Sequence, residues 1–364
     1  MKIGYFTDTY FPQINGVTTT IAEWKKELEK LGEEVYVFYP RGSGYVQFKN
    51  EFGVPSLGLP PYKGYRIAIP IGAMNKAKEL NLDIVHIHSQ FMMGWFGRRV
   101  SKRLKVLRIF SYHTPGEMYA KYVSRKKVVM SVLKKLYILW ERRLLNSCDV
   151  VIVPTAATKK FLEAKRILNT KILSNGVDTS HFKKINANSF KSELNLWGKV
   201  IGYCGRIGYE KRIGDLINLA PAFDGTILIA GSGPHVEHYK KMASIYKNIR
   251  FLGFIQRKKL PEFYSALDFF IFPSVVETQG KVALEAMACG VPVIGAYALA
   301  LKDTIQDGET GYWFEPGNTK EMLYKIELGY RNRKFLSKKS LAFARENSVQ
   351  KTAQKLLKIY SDLA

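Results

Sequence analysis

The chain has 364 residues, 46% hydrophobic and 24% charged, the composition of a globular protein that is too long for a single hydrophobic core. No run of about 18 apolar residues occurs and the first residues lack signal-peptide architecture, so the sequence predicts neither a membrane span nor a leader. The first 200 residues carry +18 of a net charge of +25, which favours a polyanionic partner, either nucleic acid or an anionic membrane. Three widely spaced cysteines, Cys148, Cys204 and Cys289, are typical of a reducing compartment and predict no disulfide.

Apolar segments of strand length alternate with helical patterns along the first half of the chain. We predict buried strands at residues 3–6, 35–39, 84–87, 106–111 and 150–153, and helices at 18–31, 91–104 and 128–145. The Gly-, Pro- and Tyr-rich stretch 41–70 is predicted to be a long surface excursion. Strands that alternate with helices of this length indicate parallel sheets built from βαβ units.

A second series of strands is predicted at residues 200–204, 226–229, 249–252, 269–272 and 292–294. The polar stretch 181–197 between the two series is predicted to be a linker. We therefore expect an α/β protein of two Rossmann-like domains, residues 1–180 and 198–346, with parallel sheets facing across a cleft. Ligands of such sheets bind beyond the carboxyl ends of the strands, so we expect the working site in that cleft.

Two glutamates, Glu277 and Glu285, belong to a predicted strand, loop and helix. Glu277 follows the strand at 269–272, Gly280 permits close approach of the backbone to a ligand, and a helix is predicted at 281–289. The start of that helix offers N–H groups to an anion, and Glu285 can accept two hydroxyl groups such as those of a ribose. The alternative is an ordinary strand, loop and helix with solvated glutamates.

Two other loops that follow predicted strands contain glycine. The segment GYCGRIGYEKR, 202–212, places Arg206 and Lys211 beyond a strand, where they suit a diphosphate that gains negative charge as it leaves. An ordinary basic turn is the alternative. In TDTYFPQINGVTTTI, 7–21, Asn15 and Gly16 precede a helix, and Gly16 again allows close approach. The Gly-x-Gly-x-x-Gly fingerprint is absent, and GSGP at 231–234 is only a weak phosphate-loop signal.

Together these elements resemble family 4 of the retaining glycosyltransferases, which have the GT-B fold. Glu277 and Glu285 match the E-x7-E signature, Arg206 and Lys211 the basic pair, and SNGVD at 174–178 also matches. The resemblance runs from residue 3 to about 316. The segments DTYFPQINGV, HIHSQF, PTAATKKFL and ETQG are most similar to the branch that glycosylates membrane lipids, such as diacylglycerol glucosyltransferases and phosphatidylinositol mannosyltransferases. The resemblance also implies that the C-terminal helix, about 347–364, crosses back onto the N-terminal domain.

The resemblance implies roles for individual residues. Arg206 and Lys211 would hold the nucleotide diphosphate, Glu285 the ribose hydroxyls and Glu277 the transferred sugar. The implied donor-binding residues are Gly16, Gly205, Arg206, Lys211, Thr278, Gln279, Gly280, Lys281 and Glu285. The implied catalytic residues are His113, Glu277, Arg206 and Lys211.

Three of these residues need comment. Gly16 would lie against the diphosphate from the other domain, and His113, in SYHTPGEMY, would stand near sugar and acceptor. Lys281 departs from the family pattern, which commonly has an apolar residue at this position. Its side chain either adds a cation near the phosphates or points to solvent.

The implied activity is that of a retaining hexosyltransferase with a donor of the UDP-glucose or GDP-mannose type. The acceptor is a hydroxyl group, and the resemblance favours one on a membrane lipid. Because Arg206 and Lys211 stabilise the departing charge and no Asp-x-Asp motif precedes the site, we expect no metal and no other cofactor. Covalent attack by Glu277 and entry of the acceptor on the leaving-group face are both compatible with the sequence.

His86 and His88 alternate at a strand end. This position suits lining of the cleft better than zinc binding, since no third ligand stands nearby.

The helix at 128–145 lies in a strongly basic region, because residues 101–150 hold 12 Lys and Arg against 3 Asp and Glu. Lys127, Lys134, Lys135 and Arg142 fall within an arc of about 100°. The helix either lies on anionic lipid or is a core helix with a solvated basic face. On the first interpretation the enzyme is cytoplasmic and peripherally associated with the inner face of the cell membrane.

Three other functions remain as alternatives. A glycosyltransferase with a soluble sugar or small-molecule acceptor would share every donor residue. A nucleotide-sugar epimerase of the same fold would not need the glutamate pair placed with Arg206 and Lys211. Nucleic-acid binding is suggested by charge alone, and no recognised nucleic-acid module is visible, so we expect no nucleic-acid partner.

Overall fold

The computed structural model describes residues 1–42, 44, 47–58, 66–117, 127–196 and 198–364, except for the side chains of residues 127–130. The chain divides into two compact units. The first comprises Met1–Asn175 and Val349–Ala364, and the second comprises Gly176–Ser348. Each unit alternates β-strands with α-helices, which confirms the predicted α/β class.

The first unit is built on a seven-stranded parallel sheet. The strands described in this unit, including two outside the large sheet, are β1 (Lys2–Phe6), β2 (Glu34–Pro40), β3 (Glu51–Val54), β4 (Ser56–Gly58), β5 (Arg66–Ala68), β6 (Ile84–Ile87), β7 (Leu107–Ser111), β8 (Val150–Val153) and β9 (Thr170–Ile172). The sheet has the order β3-β2-β1-β6-β7-β8-β9, while β4 and β5 form a separate antiparallel hairpin. Its helices are α1 (Gly16–Lys30), α2 (Ala73–Glu79), α3 (Met92–Leu104), α4 (Lys127–Leu145), α5 (Ala156–Glu163) and the C-terminal helix α13 (Val349–Leu363).

Both faces of this sheet are buried, as expected for parallel strands between helices. Successive residues of a strand point to opposite faces, so Tyr5 and Phe6 of β1 belong to different cores. Tyr5 packs in the core that contains residues of α1 and α13, and Phe6 in the core that contains residues of α3. Helix α13 buries residues spaced three or four apart, among them Leu356 and Tyr360, so the C-terminus completes the first unit.

The second unit is built on a six-stranded parallel sheet. Its strands are β10 (Val200–Cys204), β11 (Thr226–Ala230), β12 (Ile249–Gly253), β13 (Phe269–Phe272), β14 (Val293–Ala296) and β15 (Gly311–Phe314), in the order β12-β11-β10-β13-β14-β15. Its helices are α6 (Asn188–Glu193), α7 (Ile213–Asn218), α8 (Val236–Ala243), α9 (Leu260–Ala266), α10 (Lys281–Ala288), α11 (Leu301–Thr304) and α12 (Thr319–Glu346). The order reverses at β10, so β10 and β13 are neighbours although 64 residues separate the end of one from the start of the other.

The predicted linker at 181–197 is wrong for the residues that the structure describes there. Residues 181–196 belong to the second unit, in which Phe182 is fully buried and Leu196 nearly so. These apolar side chains are interleaved with the Asn, Ser and Lys residues that suggested a linker, and they anchor the segment. The predicted surface excursion at 41–70 likewise contains β3, the edge strand of the first sheet, and the hairpin of β4 and β5.

Candidate functional site

Apart from Gly16, the residues predicted to bind a nucleotide diphosphate and ribose lie at one edge of the second sheet. All its strands are parallel, so the loops that follow β10, β11 and β13 leave from the same edge. Arg206 and Lys211 stand in the loop after β10, and Glu277 stands in the loop after β13. The two loops are joined by a backbone hydrogen bond in which Val275 N donates to Glu210 O over 3.3 Å. The structure therefore brings together residues that are about 70 positions apart.

An ion pair links the two loops. Lys211 Nζ lies 2.5 Å from Glu277 Oε1, and the side chains are only 16% and 14% exposed. A pair that is this short and this sheltered from water is a charge-assisted hydrogen bond rather than a loose surface contact. The sequence predicted a role for each residue but not their contact. Arg206 lies on the same loop and is exposed.

Gly280 ends the loop after β13 and begins helix α10. Its φ is +84°, and an added Cβ would lie 2.6 Å from Phe272 and 3.0 Å from Leu301, so this turn requires glycine. The preceding residues Thr278 and Gln279 are buried, and Thr304 Oγ1 donates a 2.6 Å hydrogen bond to the carbonyl of Gln279. The backbone that leads into α10 is therefore held in place. Lys281, the first residue of the helix, is half-buried, which does not decide between its two predicted roles.

Glu285 lies in the second turn of α10 and is buried. Tyr264 donates its hydroxyl to Glu285 Oε2 over 2.9 Å. Burial raises the pKa of Tyr264 well above its ordinary value, and the Glu285 carboxylate raises that pKa further. The Cys204 thiol has its pKa raised to about 12, first by burial and then by the same carboxylate. Glu285 is thus a buried carboxylate whose orientation is fixed by the Tyr264 hydroxyl.

Glycines also shape the loops after β10 and β11. A Cβ on Gly231, whose φ is +128°, would lie 1.8 Å from the carbonyl oxygen of Gly205, so the two backbones touch. Packing against the loop after β10 therefore accounts for the glycine at position 231. Sequence reasoning missed Ser274, which is fully buried after β13 and whose Oγ has no hydrogen-bond partner among the described residues. Nothing in its sequence context distinguished it from an ordinary loop serine.

Histidines line the carboxyl edge of the first sheet. His86 belongs to β6, His88 follows it, and His113 follows β7. His88 Nδ1 lies 3.1 Å from His113 Nε2. The nitrogens of His86 contact the hydroxyls of Tyr360, at 2.6 Å, and Ser111, at 2.8 Å. No group of three residues able to hold a metal ion occurs within the described part of the chain.

Burial lowers the pKa values of His86 and His88 well below the ordinary value for histidine, and the neighbouring histidines lower them further. Both rings are therefore neutral at physiological pH.

Gly16 is the first residue of α1, where Asn15 caps the helix by accepting hydrogen bonds from Val17 N and Thr18 N, each 3.0 Å long. A Cβ added at Gly16 would meet no described atom within 4 Å, and its φ is not positive. Neither the backbone conformation nor packing against the described residues accounts for a glycine here. The open space agrees with the predicted close approach of a ligand.

A cavity of about 260 Å³ opens in the first unit beside the loop after β1. It is lined by Asp8, Tyr10, Phe11, Pro12, Gln13, Pro40, Gly42 and Arg66. Asp8 accepts hydrogen bonds from Ser89 Oγ and from Met93 N, and burial raises its pKa. Arg66 Nε donates to Ser56 Oγ over 2.7 Å. Sequence reasoning missed this pocket because Arg66 comes from the excursion and not from a βαβ unit.

Helix α4 differs from its predicted arrangement. Lys134 and Lys135 are exposed as expected, but Arg142 is only half-exposed, and the side chain of Lys127 lies outside the described atoms. Val132, Leu136 and Leu139, which lie outside the basic arc, are 51%, 59% and 61% exposed. The described helix is fully buried only near its C-terminal end, at Glu141, Leu144 and Leu145, which leaves apolar and basic side chains together on its surface. Within the described residues, no helix is long and apolar enough to span a bilayer.

Sequence comparisons match both halves of the chain. Residues 14–181 match the model described as "Glycosyltransferase Family 4", and residues 184–347 match "Glycosyl transferases group 1". An alpha-monoglucosyldiacylglycerol synthase of Streptococcus pneumoniae is 31% identical over 84% of this chain and 74% of its own length. A synthase of the same name from Acholeplasma laidlawii is 30% identical over 89% of this chain and 87% of its own length. A GDP-mannose-dependent alpha-mannosyltransferase of Corynebacterium glutamicum is 25% identical over 89% of this chain and 79% of its own.

Solved structures share the fold over the whole chain. A sucrose-phosphate synthase from Thermosynechococcus elongatus has a TM-score of 0.82 at 18% identity, covering 100% of this chain and 98% of its own. Anabaena HepE in complex with UDP-glucose has a TM-score of 0.78 at 17% identity, covering 100% of both chains. At such identities the likeness concerns the fold alone, and it confirms the GT-B architecture.

Proposed function

The chain belongs to the family 4 glycosyltransferases and moves a hexose from a nucleotide sugar, and we propose that its acceptor is a hydroxyl of a membrane lipid. We also propose that the transfer retains the anomeric configuration and needs no metal ion. The observation that carries the proposal is the ion pair of Lys211 and Glu277, together with Glu285 on the helix that follows. Charges of both signs stand at one strand edge, where a diphosphate sugar has phosphates to neutralise and hydroxyls to bind.

Lys211 is suited to a diphosphate because its ammonium group has three donors. One donor is directed at Glu277, so a phosphate oxygen can bind another without breaking the pair. Arg206, on the same loop, adds a fork of N–H donors that matches two phosphate oxygens. The start of α10, after Gly280, contributes the positive end of a helix dipole.

Glu285 is suited to the ribose. A carboxylate has about four lone-pair positions, so it can accept hydrogen bonds from Tyr264 and from hydroxyl donors together. The Tyr264 hydroxyl fixes the orientation of the carboxylate before the donor arrives. Preorganisation of this kind reduces the entropy lost on binding.

The chemical step breaks the bond between C1 of the sugar and the oxygen of the nucleoside diphosphate. Negative charge gathers on the diphosphate, where Arg206 and Lys211 stabilise it, each donor contributing about 3 kcal/mol. The acceptor hydroxyl forms the new bond at C1, and its proton passes to an oxygen of the departing diphosphate. Two routes retain the configuration, attack by the acceptor on the face that the diphosphate leaves, or two successive displacements with Glu277 as the nucleophile. Glu277 would stabilise positive charge on the sugar ring by the first route.

Two residues of the first unit, Gly16 and His113, are also proposed to act in the reaction. The open space at Gly16 supports a role against the donor, and the neutral surroundings of His113 support a role beside uncharged sugar and acceptor hydroxyls. The lipid acceptor is supported by the names of the two synthases and by α4, which exposes Leu136 and Leu139 beside Lys134 and Lys135. We propose that this surface docks on the anionic inner face of the cell membrane, which places the enzyme at the cytoplasmic side.

A donor and acceptor screen tests the proposal. The full chain is incubated with UDP-glucose, UDP-galactose or GDP-mannose. The acceptor is either an anionic vesicle that contains diacylglycerol, monoglucosyldiacylglycerol or phosphatidylinositol, or a free sugar in a parallel reaction. Mass spectrometry is expected to find one lipid heavier by one hexose. Transfer to free sugars but to none of these lipids would establish the soluble-acceptor alternative. Interconversion of the donor sugar with no acceptor present would establish the epimerase.

A further inference from the structure

The contact between His88 and His113 has the geometry of a directional hydrogen bond. The two nearest nitrogens are 3.1 Å apart, the ring centroids are 5.4 Å apart, and the ring planes are inclined by only 11°. The centroids are far apart and the nitrogens close, so the rings meet edge to edge rather than face to face. The N–H of one ring therefore points along the lone pair of the other.

The surroundings of His88 decide which ring donates. Its side chain is buried, with the rings of Tyr5, Trp24 and His86 packed around it. Burial, followed by the fields of His86 and His113, lowers its pKa well below the ordinary value, so the ring is neutral and carries one N–H. Its other nitrogen, Nε2, is buried and has no hydrogen-bond partner among the described residues.

A neutral His88 has two tautomers with different consequences. With the proton on Nε2, a buried N–H would have no acceptor in the described part of the chain, and such orphaned donors are rare in folded proteins. With the proton on Nδ1, the N–H reaches the one nitrogen that is in range, and only a lone pair is left unpaired. The second tautomer is the one that the packing favours.

We propose that His88 is a positioning residue, which donates its Nδ1–H to Nε2 of His113 and so holds His113 in the tautomer that carries its proton on Nδ1. His113 then presents Nδ1–H as a hydrogen-bond donor. Its Nε2 is occupied as an acceptor and does not take a proton from the acceptor hydroxyl. In the transfer reaction His113 would donate to an oxygen of the sugar or of the acceptor. That consequence rests on the proposed function, whereas the tautomer itself does not.

Nuclear magnetic resonance of the full chain, labelled with ¹⁵N in the imidazole rings and held at neutral pH, tests the tautomer directly. Long-range correlation of ring protons with ring nitrogens distinguishes a protonated nitrogen from a bare one. The chain has six histidines, and the signals of His113 and His88 are assigned from H113Q and H88N spectra. We expect Nδ1 to carry the proton in both rings. A proton on Nε2 of His113, alone or together with one on Nδ1, would overturn the proposal without any variant being needed.

Variants separate the hydrogen bond from packing. H88F fills the space without a donor, so His113 should lose its single tautomer, and kcat should fall about tenfold with little change in the donor KM. H88N offers an amide N–H near the position of Nδ1 and should restore most of both properties. H86F is the matched control, because His86 is buried two residues before His88 but bonds to Ser111 and Tyr360.

The outcomes distinguish this proposal from the proposed function. If H86F changes the His113 tautomer as much as H88F does, packing is responsible and the proposal falls. If the tautomer is as expected but no sugar is transferred to any lipid, the proposed acceptor fails while the role of His88 in fixing the tautomer stands.

Discussion

The carboxyl edges of the two sheets carry different kinds of groups. At the edge of the second sheet, Lys211 and Glu277 form a sheltered ion pair, and Glu285 is an oriented carboxylate. At the edge of the first sheet, burial is the largest cause of shifts toward the neutral form, since it raises the pKa of Asp8 and lowers those of His86 and His88. On the proposed function, the charged edge binds the phosphates of the donor and the neutral edge binds uncharged hydroxyls. The same strand-and-helix architecture serves both, and the difference lies in the residues that follow the strands.

The largest expected effect comes from removing the cation of the charged edge. Lys211→Ala should lower kcat/KM about 10²- to 10³-fold, because the departing diphosphate loses a donor and Glu277 loses its partner. Steady-state kinetics with the preferred donor measures this. Lys199→Ala is the control, because Lys199 pairs with Glu327 in the same unit but is 35% exposed. If the folded Lys211→Ala enzyme keeps the kcat/KM of the parent, Lys211 does not belong to the donor site.

Glu285→Gln tests the ribose contact at the same edge. Loss of a charged acceptor should cost about 1.5–3 kcal/mol, or about a 10- to 100-fold weaker donor Kd, measured by calorimetry. Tyr264→Phe removes only the hydroxyl that orients Glu285, so its effect should be smaller. Equal effects of the two changes would mean that Glu285 stabilises the fold of α10 and does not contact the donor.

Helix α4 belongs to the first unit, so its surface should affect lipid binding but not donor binding. Lys134→Gln combined with Lys135→Gln should weaken binding to anionic vesicles about 30-fold, from about 1 kcal/mol for each charge, and parent binding should fall with added salt. Leu136→Ser with Leu139→Ser removes the exposed apolar groups instead. Vesicle sedimentation measures both pairs. If both variants sediment as the parent does, α4 is a helix with a solvated face and the membrane proposal fails.

Gly16→Ala tests whether a glycine at position 16 is required for stability of the fold or for binding of the donor. The added methyl group meets no described atom, so the melting temperature should stay unchanged or rise slightly, since alanine favours helices more than glycine does. Donor affinity should nevertheless fall about tenfold if the diphosphate approaches this backbone. Gly58→Ala, also in open space in the first unit, should change neither property. Unchanged donor affinity in Gly16→Ala would exclude close approach at this residue.

The smallest expected effect is that of chelation. Because Arg206 and Lys211 provide the positive charge at the diphosphate, activity should survive exhaustive treatment with EDTA. The measurement is the initial rate before and after chelation, with magnesium and manganese added back. If the rate is lost on chelation and recovers when either ion is added, a metal ion and not the two side chains alone neutralises the diphosphate.

Much of the fold could be predicted from sequence because buried parallel strands appear as short apolar segments. The predicted strand at 269–272 coincides with β13. The predicted helix at 128–145 matches α4 except that α4 begins one residue earlier. The segment 181–197 was misassigned because its anchors, Phe182 and Leu196, are isolated among polar residues. The short edge strands β9 and β15 escaped prediction because their apolar runs are brief and carry no alternation long enough to recognise.

The site was predictable residue by residue but not as an arrangement. Its glycines and charged residues stand in loops that follow strands or in the helices after those loops, a pattern that can be recognised in sequence. The contact of Lys211 with Glu277 requires β10 and β13 to be neighbours, and nothing local encodes that strand order. The contact of His88 with His113 likewise depends on β6 lying beside β7. The exposed leucines of α4 could not be foreseen, because helical periodicity gives the faces of a helix but not which of them the rest of the unit covers.

The configuration of the product tests the central claim most directly. The preferred α-linked nucleotide sugar is incubated with vesicles containing the lipid acceptor, and the anomeric proton of the purified glycolipid is recorded by nuclear magnetic resonance. A glycolipid with one hexose in the α configuration is the predicted result. A β-linked product would contradict retention, and consumption of the donor with release of free sugar but no glycolipid would contradict the lipid acceptor.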